Sequence, residues 1–196
     1  AIAILAASEQ LPDAKLVQYE FLGELALNGA LCGVQGAIPA AMAALQSGRQ
    51  MVLAEENQQD VGLIQQGETL VGKHLVEICA FLHSQSPLPA AHYQSEALDP
   101  EKQDLSDIIG QEQGRRALEI TAAGGHNLLL LGPPGTGKTM LASRLPSIMP
   151  PLGEQEALEC AAINSLVSSG NLHHQWRKRP FRAPHHSASL YALIGW

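Results

Sequence analysis

The sequence predicts an α/β chain made of two modules, an α+β unit followed by the opening of a parallel α/β sheet. Three observations predict it. The second half runs helix, short apolar strand, Gly/Pro loop, helix, which is how a parallel sheet begins. Between Ser84 and Gln103 the texture changes: Pro87, Pro89, Ser95 and Pro100 stand among few large apolar residues, the mark of a linker. Charge also changes sign along the chain. Residues 1–104 carry 4 basic and 13 acidic side chains, and residues 105–196 carry 8 and 6, so two modules with different partners are expected. The predicted division is 1–84, a linker at 85–103, and 104–196.

At 45% hydrophobic residues over 196 positions, the chain can bury a core, which excludes wholesale disorder. Cys32, Cys79 and Cys160 stand far apart. That argues against a disulfide framework and fits a reducing, cytoplasmic setting. No apolar run approaches the ~20 residues of a membrane span, so no membrane partner is expected. The apolar opening Ala1–Ala7 has no basic stretch before it and is a poor signal peptide. With no initiator Met, Ala1 reads as a cut end inside a longer protein.

The elements follow in order. Ile2, Leu5 and Ala6 share one helical face, and Pro12-Asp13 breaks that helix. Phe21 to Val34 reads as a hairpin, because Asn28-Gly29 is the favoured pair for a two-residue turn in which both φ angles are positive. Pro39 suits a first helical turn, Ala40 to Leu45 continue it, and Gly48 stops it. Met51-Val52-Leu53 is a short buried strand, and Leu75 to Leu82 is an amphipathic helix. In the second module the spacing predicts helices over Gln111–Ala123, Lys138–Ile148 and about Glu154–Leu166, with a buried strand at Asn127–Leu131.

Chemistry concentrates in Gly132-Pro133-Pro134-Gly135-Thr136-Gly137-Lys138-Thr139, a full G-x-x-x-x-G-K-[ST] match. A loop that wraps a polyphosphate needs glycines so that successive N–H groups turn inward. It also needs a helix N-terminus aimed at the same charge. Lys138 is the expected catalytic cation on the β- and γ-phosphates of ATP, and Thr139 the expected Mg2+ ligand. Met140 continues the loop into the helix and completes the candidate ATP-binding run.

Hydrolysis needs an acidic residue at the end of a second buried strand. After Thr139 the acids are Glu154, Glu156 and Glu159, all in a helical stretch. The sequence therefore predicts a nucleotide site without complete catalytic parts. His173-His174 and His185-His186 are poor chelates, since neighbours in an extended segment face opposite sides. Arg177-Lys178-Arg179 with Arg182, beside Trp176 and Phe181, reads as a solvated loop ahead of a nucleic-acid contact. The interrupted sheet also predicts an exposed edge prone to aggregation.

Three segments carry a resemblance: Asp104–Glu112, Ala117–Asn127 with its Gly-Gly-His-Asn lead-in to the phosphate loop, and Arg179-Pro180-Phe181-Arg182-Ala183-Pro184-His185-His186. They resemble the magnesium-chelatase-like AAA+ ATPases of the ComM type. Tyr19–Gly29 is similar to that family's N-terminal domain. The resemblance implies a truncated Lon-protease-like α+β domain followed by the N-terminal part of a P-loop AAA+ domain. It also implies a bacterial cytoplasmic parent that forms an ATP-driven homo-hexamer and works on DNA as a branch-migration helicase in natural transformation. Ile108, Ile109 and Gly110 are then expected to line the adenine pocket. The acidic strand, a sensor Asn and arginine fingers are expected beyond Ile194-Gly195-Trp196. Lon-like peptidases pair Ser with a Lys in the helix after the hairpin. Residues 35–40 contain no Lys, which argues for a structural or interaction module.

Overall fold

The computed structural model describes residues 1–94, 103–167, 172–185 and 187–189. Predicted linker residues 95–102, His186 and the closing 190–196 lie outside the described residues. In chain order the elements are α1 (Ile2–Ala7), α2 (Asp13–Leu16), β1 (Tyr19–Phe21), β2 (Glu24–Leu25), β3 (Leu31–Cys32), α3 (Ala37–Gln46) and β4 (Gln50–Ala54). Then come α4 (Gln58–Val61), β5 (Leu70–Gly72), α5 (Leu75–Leu82), α6 (Glu112–Gly124), α7 (Lys138–Ile148) and α8 (Glu154–Ser165). The chain divides into two compact units, Ala1–Leu98 with Gly153–Trp176, and Asp99–Leu152 with Arg177–Trp196.

The first unit is built on a parallel sheet in the order β1-β4-β5. Tyr19 pairs with Gln50 and Phe21 with Val52; Val52 pairs with Leu70 and Ala54 with Gly72. Central β4 reads Met51-Val52-Leu53-Ala54, all buried, as a strand covered on both faces must. Alternation sorts its side chains. Met51 and Leu53, with Val71, pack on Ala37, Ala41 and Ala44 of α3. Val52 and Leu70 face the other way, onto Ile78 and Leu82 of α5. The alanines of α3 let that helix approach the strands closely.

Three expectations are corrected in this unit. Phe21 belongs to the parallel sheet, and the hairpin is confined to β2 and β3. Its turn is a three-residue loop, not a two-residue one. Gly29 N donates to Ala26 O at 2.9 Å and Ala26 N to Ala30 O at 2.9 Å, and Gly29 has φ +88° while Asn28 stays out of the left-handed region. Asn28 instead accepts from Ala30 N through Oδ1 at 3.0 Å, a local bond that favours this geometry. Finally, residues 88–91, read as linker, run beside β5. Val71 N donates to Pro89 O at 2.9 Å and Ala91 N to Thr69 O at 2.7 Å. An edge position suits Pro89, which needs only its carbonyl there.

Residues 153–167 and 172–176, expected in the second module, cluster with the first. Ala161 of α8 and Leu172 share a core with Ile38 and Leu63. Gly36 N donates to Ser165 O at 3.0 Å.

The second unit packs α6 on α7 through Leu118 and Leu141, together with Leu105 and Ile108. Here the buried strand predicted at Asn127–Leu131 is corrected. The segment forms no ladder, and Leu129 and Leu131 are 78% and 84% exposed. A strand needs a neighbour for its N–H and C=O groups, and no described residue pairs with this one. Leu130 alone packs against the unit's core. The three cysteines are free, and burial pushes the Cys79 thiol up from its ordinary value.

Candidate functional site

The site is assembled between the C-terminus of α6 and the N-terminus of α7. Gly125 closes α6 with φ +62°, and residues 126–131 lead to the Gly132–Thr139 loop. Gly135 (φ +79°) and Gly137 (φ +80°) are left-handed, and a Cβ on either would meet nothing within 4 Å. Glycine is therefore required by the backbone conformation, while the space beside it stays open.

Lys138 organises the loop. Its Nζ donates to Gly132 O at 2.9 Å and Pro133 O at 2.6 Å. It also donates to Thr136 Oγ1 at 3.3 Å, and Thr136 Oγ1 donates to Pro133 O at 3.0 Å. The two carbonyls held by the ammonium belong to the peptides preceding Pro133 and Pro134, which carry no N–H. After the Gly132 N–H, the loop's next N–H donors therefore begin at Gly135. The first-turn amides of α7 have no intrahelical carbonyl, which adds Lys138, Thr139 and Met140 to the donor set. Thr139 is exposed in that first turn.

This donor set fits a triphosphate: an ammonium, a run of backbone amides and a helix N-terminus. One exposed hydroxyl suits a hard cation shared with phosphate oxygens and water. Among the described residues no group of three or more His, Cys, Asp or Glu side chains forms a self-sufficient metal site.

The expected adenine-pocket trio is divided. Ile108 is 1% exposed, in the core with Leu105, Leu118 and Leu141. Ile109 is 94% exposed, and Gly110 is exposed with φ +74°. Adjacent residues in extended backbone face opposite ways, and Ile108 has φ −90° and ψ 110°. The turn before them is closed at its N-terminus by a reciprocal capping box. Asp104 accepts from Ser106 N at 2.8 Å, and Asp104 N donates to Asp107 Oδ2 at 2.9 Å. Those bonds with Ser106, aided by Arg115, hold the Asp104 carboxyl below its ordinary range. Asp107 lies 3.7 Å from Arg144 of α7.

Gln111, read only as a helix start, touches the phosphate loop, a contact that lies outside the loop motif. Its Nε2 donates to Thr136 O at 3.2 Å, and its backbone is left-handed at φ 53°. Its place directly after Gly110 was the available signal.

The basic cluster is partly structural. Arg177 Nε donates to Leu152 O at 3.0 Å, and Arg179 Nε to Pro150 O at 2.7 Å. The extended setting assumed for His173-His174 is corrected. The pair sits on a 3-10 turn with ring centroids 4.1 Å apart.

Two models of the magnesium chelatase subunit ChlI match the chain, over residues 1–57 and 104–196. The chain belongs to the magnesium-chelatase-like family. Its relatives place it on the ComM-type branch. YifB of Escherichia coli K12 is 57% identical over 195 residues, and the competence protein ComM of Haemophilus influenzae is 49% identical over 200. A Mycobacterium tuberculosis relative is 38% identical over 198 residues. The whole chain is covered each time, against 38% or 39% of each relative, so the chain spans about two-fifths of their length.

Proposed function

We propose that this chain supplies the ATP-binding loop of a ComM-type AAA+ ATPase. The observation that carries it is Lys138 clasping the Gly132 and Pro133 carbonyls at the head of α7, with the left-handed Gly135 and Gly137 between. Lys138 is the residue that meets the β- and γ-phosphates, the amides from Gly135 to Thr139 line the phosphate chain, and the Thr139 hydroxyl takes Mg2+. When bound, the cation offsets phosphate charge. Exposed Ile109 and Gly110 contribute the adenine-facing side, and Ile108 supports them from the core.

For this chain alone we propose binding without turnover. Glu154, Glu156 and Glu159 lie on α8. Glu156 accepts from Gly153 N at 3.2 Å and Glu159 from Gln155 at 3.4 Å. None ends a buried strand, where an acid would orient water. We further propose that the intact parent is a cytoplasmic homo-hexamer coupling hydrolysis to DNA branch migration. The name of the Haemophilus relative, a competence protein, supports that reading. In it the first unit is a Lon-like interaction module, and α3 carries no Lys to serve a peptidase.

Isothermal titration tests the binding claim. ATP with Mg2+ binds the wild-type chain, and Lys138→Ala abolishes that heat; equal affinity in both defeats the assignment. In a phosphate-release assay the chain stays silent; steady turnover lost in Lys138→Ala would reveal a catalytic acid among these residues.

A further inference from the structure

We infer that Gln111 is a positioning residue for the phosphate loop, its carboxamide fixing the Thr136–Gly137 peptide so that the Gly137 N–H faces the bound phosphates. The inference rests on the nucleotide reading above and assigns a part of the site that the loop motif does not contain.

In a trans peptide the C=O and the following N–H point in opposite directions. Gln111 Nε2 holds Thr136 O at 3.2 Å, so it also sets the direction of the Gly137 N–H. Gly137 has φ +80°, a conformation in which a peptide flips at little steric cost. Something outside the loop must therefore choose its orientation. Lys138 holds the Thr136 side chain through Oγ1 at 3.3 Å, but its carbonyl acceptors are Gly132 and Pro133, so the direction of the Thr136 carbonyl is left to Gln111.

The backbone of Gln111 supports the same role. It follows Gly110 (φ +74°) with φ 53° and ψ 37°, two left-handed residues in succession. The second carries a Cβ and is strained there. Such strain persists only where surrounding structure over-determines it. On one side Ile108 is anchored in the core at 1% exposure. On the other, Arg115 N donates to Gln111 O at 2.9 Å and starts α6. The left-handed step directs the side chain to the loop instead of along the helix. α6 and the phosphate loop are thereby joined by one neutral hydrogen bond.

The test uses the 196-residue chain without nucleotide, by 15N relaxation. In the wild type the Thr136 and Gly137 amides have order parameters near the rigid value of about 0.85, and Gln111→Ala lowers them below about 0.6. The amides within α6 and α7 and the melting temperature stay unchanged, a pattern that a general packing role does not produce. Gln111→Gly removes the side chain while relieving the backbone strain. It lowers the same two order parameters, which assigns the effect to the carboxamide and covers the case in which Gln111→Ala folds poorly. ATP affinity falls about five-fold in both variants, the worth of one neutral hydrogen bond. Unchanged order at Thr136 and Gly137, or loosening spread evenly through both helices, overturns the inference. If the wild type binds no ATP, the nucleotide reading fails, and the order parameters still decide this proposal.

Discussion

The Asn57 carboxamide satisfies both backbone polar groups of Val34: its Oδ1 accepts from Val34 N at 3.0 Å and its Nδ2 donates to Val34 O at 2.9 Å. A side chain here does what a neighbouring strand would do. Asn57 is 3% exposed, and the segment it holds leads into α3. Removing it leaves two backbone groups without partners, at about 1–3 kcal/mol each. Asn57→Ala is expected to destabilise the first unit by about 2–6 kcal/mol, read as a lower urea midpoint at constant slope. A shift under a few tenths of a molar would show that water replaces the amide.

The Asp104 cap makes one end of the second unit sensitive to acid. Its carboxyl is held below the ordinary range by hydrogen bonds with Ser106. A depressed folded value means stabilisation that is full above the unfolded value of about 3.9. That contribution is lost as pH falls through the lower folded value. The Ser106 amide resonance is therefore expected to hold steady from pH 7 to about 5 and to move only below about 4. Movement centred near neutrality would assign the titration to another group.

Lys178 stands between two arginines that clip backbone carbonyls, Arg177 on Leu152 and Arg179 on Pro150. Arg179→Ala is expected to cost about 1 kcal/mol of stability, whereas Lys178→Ala leaves the melt unchanged. If the basic segment contacts DNA, Lys178→Ala reduces the salt slope of binding by about one phosphate contact. Salt-independent binding would defeat an electrostatic account.

Leu129 and Leu131 are exposed apolar side chains in an unpaired segment, the kind of surface that associates. Replacing both with Lys is expected to raise the solubility of the chain with a melting shift within the ±0.5 kcal/mol typical of surface changes. A marked loss of stability would mean that the segment is packed in solution.

How much of this was readable beforehand depends on how local each cause is. α7 begins at Lys138 and α5 spans Leu75–Leu82, as their patterns predict, because phosphate-loop spacing and helical periodicity are written in consecutive residues. The buried run of β4 was legible for the same reason. What was not legible depends on partners distant in sequence. Asn127–Leu131 has strand composition but no described neighbour to pair with. Pro89 looks like a linker residue until β5 is found beside it. α8 and Leu172 follow the phosphate loop in sequence yet pack on Ile38 and Met42 of α3. At the site, the glycines and Lys138 follow from spacing alone. Gln111 reaches Thr136 across 25 positions, a separation that loop matching does not span.

The central claim is tested most directly by a crystal structure of the chain with a nonhydrolysable ATP analogue and Mg2+. The account predicts Lys138 Nζ released from Gly132 O and Pro133 O onto the terminal phosphates. It also predicts the amides of Gly135 through Thr139 within about 3 Å of phosphate oxygens and the Thr139 hydroxyl on the cation. An analogue bound elsewhere, or a loop whose Lys138 stays on its own carbonyls while saturating analogue is present, would contradict it.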